Sequence, residues 1–81
     1  MPVSNTPAVE RIARVLAGAR LSANMEGNDS SAGPEVDAAW RDHVEEAVAV
    51  LKTLREPDGQ MAAAGDPQVW EAMVEAALGG R

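Results

Sequence analysis

The 81 residues contain no Cys, no Phe and no Tyr, and His43 and Ile12 are the only residues of their kinds. Without Cys there can be no disulfide staple, no thiolate metal ligand and no thiol nucleophile. That also fits a cytoplasmic protein. A lone His offers no second imidazole to complete a zinc or iron site at any spacing. No apolar run approaches the ~18 residues of a membrane span. Met1 to Thr6 carries neither a basic region nor an apolar stretch behind it, so a signal peptide is not expected.

What is present is a chain of one-domain length with 46% hydrophobic residues, many of them Ala. At this size one core supplies roughly 3–5 kcal/mol unless something reinforces it. An Ala-rich core favours closely packed helices, and a small one favours two copies sharing a core. The net charge is −6. Residues 1–33 are balanced, with Arg11, Arg14 and Arg20 against Glu10, Glu26 and Asp29, while residues 34–56 and 57–81 carry −3 each. An acidic surface repels nucleic-acid phosphates, and Arg11 with Arg14 makes too small a basic spot to bind them.

The first helix is predicted to open with Thr6 as cap and Pro7 at its first position. Val9, Ile12, Leu16 and Ala19 recur at helical spacing as its apolar face, and Glu10 and Arg14 pair elsewhere on its surface. Its end falls between Ala17 and Ala23. Residues 24–33, rich in Gly, Asn, Asp and Ser with Met25 as their one bulky apolar member, read as a mobile connector. A second helix then runs from Pro34 until Pro57 stops it, with Glu35 and Asp37 near its N-terminus. Trp40, Val44, Ala47, Leu51 and Leu54 form its stripe, widened by Val48. A short helix over residues 57–64 can follow, closed by Gly65. Asp66-Pro67 starts the last helix, with Val69, Trp70, Met73, Val74, Ala77 and Leu78 as its apolar set and Gly79-Gly80 at its end. The expected architecture is all-α. It is a small bundle of three main helices, with room for a short fourth, forming a single domain over residues 1–81 behind a flexible N-terminus at 1–6. The second helix is central to it.

Chemistry finds little footing in these residues. His43 lies near Asp42 and Glu46, which for a helical His is ordinary surface electrostatics. Asp42 with Glu46, and Glu71 with Glu75, are carboxylates four apart, but nothing in their surroundings predicts the desolvation that acid–base work needs. No glycine pattern forms a phosphate-binding loop. No enzyme, no cofactor, no metal, no nucleic-acid partner and no membrane partner are therefore expected. Trp40, Val44, Trp70 and Met73 are the candidate interface or pocket residues.

The stretch AAWRDHVEEAVAVLKTLREP, followed by MAAAG and VWEAMVEAAL, and preceded by the VERIAR helix at Val9–Arg14, resembles a set of short uncharacterised all-helical proteins of alphaproteobacteria and related phage-like genes. The resemblance implies the helix layout and no activity, and it transfers no functional residue. Three functions are left to weigh. The first is a self-associating protein-interaction module, as a homodimer or with another protein. The second is a small-ligand binder with a pocket between helices near Trp40 and Trp70. The third is an acidic, phage-type decoy of a DNA-binding protein.

Overall fold

Two Asp–Pro and Pro–Asp punctuations set the second half of the chain. In the computed structural model, which describes residues 3–24 and 32–79, five α-helices follow one another. They are α1 (Ala8–Asn24), α2 (Ala32–Ala39), α3 (Val44–Leu54), α4 (Gly59–Ala64) and α5 (Pro67–Leu78), with a 3₁₀ segment at Trp40–His43 between α2 and α3. No strand occurs among the described residues, so the all-α class expected from the sequence is the class observed. No described helix is long and apolar enough to cross a membrane.

The chain divides into two compact units, Met1–Ala47 and Val48–Arg81, with the division falling inside α3. In the first unit, α1 begins one residue later than expected. Thr6 does not cap it through its hydroxyl. Instead the Ser4 hydroxyl accepts from the Thr6 N–H at 3.1 Å and donates to the Thr6 carbonyl at 3.3 Å, while Arg11 N–H reaches the Pro7 carbonyl at 3.0 Å. The helix runs through Gly18 and closes at Asn24, beyond the expected limit of Ala23. Most of the expected connector, residues 25–31, lies outside the described residues. Its two ends are helical, Asn24 in α1 and Ala32-Gly33 in α2.

The buried face of α1 is Val9, Ala13 and Ala17, not Val9, Ile12, Leu16 and Ala19. Ile12 and Leu16 are half-buried and Ala19 is exposed. Relative to the expected stripe the face is turned by roughly 80°, at 100° per residue. The cause is size. Ala13 and Ala17 let the α1 backbone approach α2 and the 3₁₀ segment, against which it packs, while Ile12 and Leu16 flank that approach.

The long helix predicted from Pro34 is divided. Ala39 departs from ideal helix geometry (φ −106°), and the N–H of Val44 turns back to the carbonyl of Arg41, a 3₁₀ bond. Each 3₁₀ residue advances about 120° instead of 100°, so four of them turn the following face by about 80°. Ala47 and Leu51 stay buried, Val44 and Val48 are half-buried, and Leu54, placed in the stripe by its spacing, is 42% exposed.

The second unit follows its punctuation closely. Asp58 caps α4 by accepting from the Met61 N–H at 2.9 Å, so Pro57 precedes the cap and the helix starts at Gly59. Asp66 caps α5 by accepting from Gln68 N–H at 2.9 Å and Val69 N–H at 3.4 Å, with Pro67 in the first turn. Gly79, at φ +61°, ends α5 in the left-handed conformation that glycine adopts without a Cβ clash. Its N–H bonds to the carbonyls of Glu75 and Ala76. Leu51, Val74 and Leu78 are its buried apolar side chains.

Candidate functional site

The polar chemistry of the first unit is organised by Arg14. Its Nε donates to Glu10 Oε2 at 2.8 Å, the helical pair read from the sequence, and its Nη1 donates to Asp37 on α2. The same guanidinium lies 5.3 Å from the Trp40 ring centroid, and that of Arg41 lies 4.6 Å from it. Trp40 is thus half-buried beside two cations that its ring quadrupole attracts. Asp37, read from the sequence as a dipole-complementing acid, ties α2 to α1 instead. Arg11, the other half of the basic spot, turns its Nε to the Thr6 carbonyl at 3.2 Å. These cations are engaged in contacts within the first unit.

A second cluster surrounds Glu46. One carboxylate oxygen pairs with His43 Nδ1 at 2.9 Å and the other accepts from Arg20 Nη2 at 2.6 Å, joining α3 to the 3₁₀ segment and to α1. The His43 side chain is only 13% exposed. The hydrogen bond from His43 holds the Glu46 carboxyl below its ordinary value of 4.5; desolvation opposes it, and the charge and hydrogen bond of Arg20 add to the lowering. Asp42 is exposed and joins no ion pair among the described residues. No group of three or more His, Asp and Glu side chains among the described residues is arranged to hold a metal ion.

A carboxyl whose folded pKa is lowered stabilises the fold fully above its ordinary pKa, and that stabilisation is lost as pH falls through the lowered value. Acid titration followed by helical circular dichroism is therefore expected to show loss of structure in the first unit beginning below about pH 4.5. Glu46→Gln should reduce stability at neutral pH and flatten that acid limb. An acid limb of unchanged slope in Glu46→Gln would reject Glu46 as its source.

In the second unit Trp70 is half-buried, and its indole N–H donates to the Leu54 carbonyl at 2.7 Å. Leu54 ends α3, and helix-terminal carbonyls have no partner within the helix. Trp70 supplies that partner from α5. This role was not read from the sequence; the only signal for it was a helix stopped by Pro57 with no nearby donor named for its last carbonyl.

Trp70 also lines an apolar groove of about 260 Å³ with Pro57, Met61, Ala64, Gly65, Asp66 and Pro67. A shallower hollow runs along α1 past Ala8, Arg11, Ile12 and Val15, and is formed by that helix alone.

The four candidate residues fall two to a unit. Trp40 and Val44 are half-buried in the first. In the second, Trp70 is half-buried, and Met73 is 62% exposed. One turn before Met73, Val69 is 54% exposed, and Ala72 and Ala76 are exposed beside them. At 100° per residue the apolar positions of α5, from Ala72 through Val69, Met73 and Trp70 to Leu78, cover about 240° of its circumference. Only Gln68, Glu71 and Glu75 interrupt the remainder, so the two acids form a narrow ridge instead of a broad solvated face.

No family model matches this chain, and no curated protein or solved structure matches it either.

Proposed function

We propose that this chain is a non-enzymatic interaction module that associates with a second copy of itself through the outward face of α5. The observation that carries the reading is the width of that helix's apolar surface. A surface helix of a globular protein needs an apolar stripe somewhat over 100° wide to face one core. In α5, Trp70, Val74, Ala77 and Leu78 supply that stripe, yet Val69, Ala72, Met73 and Ala76 continue the apolar surface outward. Exposed apolar patches rimmed by polar residues mark interaction surfaces, and Glu71 and Glu75 supply the rim here.

Size-exclusion chromatography with light scattering, run over a concentration series, tests the proposal. The expected result is a mass rising from 8.5 kDa towards twice that value as concentration increases. A mass of one chain at every concentration up to the millimolar range would reject it.

The Trp70 groove favours a second reading, a small apolar ligand held beside the indole. At about 260 Å³ the groove is smaller than the ~300–1,000 Å³ of ordinary ligand sites, which places this reading behind the first. Trp70 emission should then shift on titration with a small apolar compound. A Trp40→Phe protein whose emission ignores such compounds would exclude it.

A further inference from the structure

We draw no further inference here: the strongest candidate, the apolar groove between α4 and α5 beside Trp70, is an unpartnered apolar surface, and nothing in the structure shows what covers it.

Discussion

Leu78→Ala is expected to destabilise the second unit by about 2–5 kcal/mol, the range for removing a buried Leu side chain and leaving a partly collapsed cavity. Leu78 is 2% exposed and sits in the last turn of α5, immediately before the left-handed Gly79. Among the described residues it is one of three buried apolar side chains in that unit, with Leu51 and Val74. Its neighbours on α5 cannot replace it, since Val74 and Ala77 are shorter and Met73 faces outward. Because a domain of this length draws roughly 3–5 kcal/mol from its core, the loss is comparable with the whole. Urea denaturation followed by helical circular dichroism should show a midpoint shifted far to lower urea, or no folded baseline at all. A midpoint within error of the wild type would mean that Leu78 is not the anchor its burial indicates.

Ala13→Leu is expected to have an effect of similar size in the first unit by the opposite route. Ala13 is fully buried at the centre of the α1 face that packs on α2 and the 3₁₀ segment. Three added carbons must be accommodated where two backbones approach closely, and overpacking of this kind costs typically about 1–3 kcal/mol, sometimes more. Leu is nearly as good a helix former as Ala, so propensity accounts for little of the loss. The informative control is Ile12→Leu, at a half-buried flank, which should leave the melting temperature nearly unchanged. An Ala13→Leu protein as stable as Ile12→Leu would show that the interface between α1 and α2 is looser than described.

These two sites also mark the limits of reading the fold from the residue pattern. The second unit was legible because its signals are local. Asp58 and Asp66 cap, Pro67 opens a helix and Gly79 closes it, and each device acts within four residues of itself. The short helix is expected over residues 57–64, opening at Pro57; it starts at Gly59 because Asp58, not read as a cap from the sequence, closes its first turn.

The first unit was legible in outline only. Bulk favours Ile12 and Leu16 for the buried face of α1, whereas close approach of the helices selects Ala13 and Ala17. The 3₁₀ segment at Trp40–His43 has no proline or glycine to announce it; it lies where Trp40 meets Arg14 from another helix. That contact, like Arg14 to Asp37 and Arg20 to Glu46, joins residues 23 or more apart in sequence and follows from no spacing rule.

Of the candidate site residues, Met73 and Trp70 occupy the outward face and the groove of α5. Trp40 and Val44 pack within the first unit, where Trp40 receives two guanidinium groups. The apolar residues of α5 were read from the sequence as one set. Their division between an inward and an outward face emerged only from where Val74 and Leu78 are buried.

The placement of the two tryptophans has a practical consequence. Tyr and Phe are absent, so near-ultraviolet absorption and emission come from indole alone, and each unit holds one indole. Trp40 emits beside two cations, and Trp70 emits with its N–H committed to a carbonyl. In Trp40→Phe the remaining light reports on the second unit; in Trp70→Phe it reports on the first. Each half of this 81-residue chain therefore carries its own optical label, and comparing the two melting curves counts the cooperative steps in its unfolding.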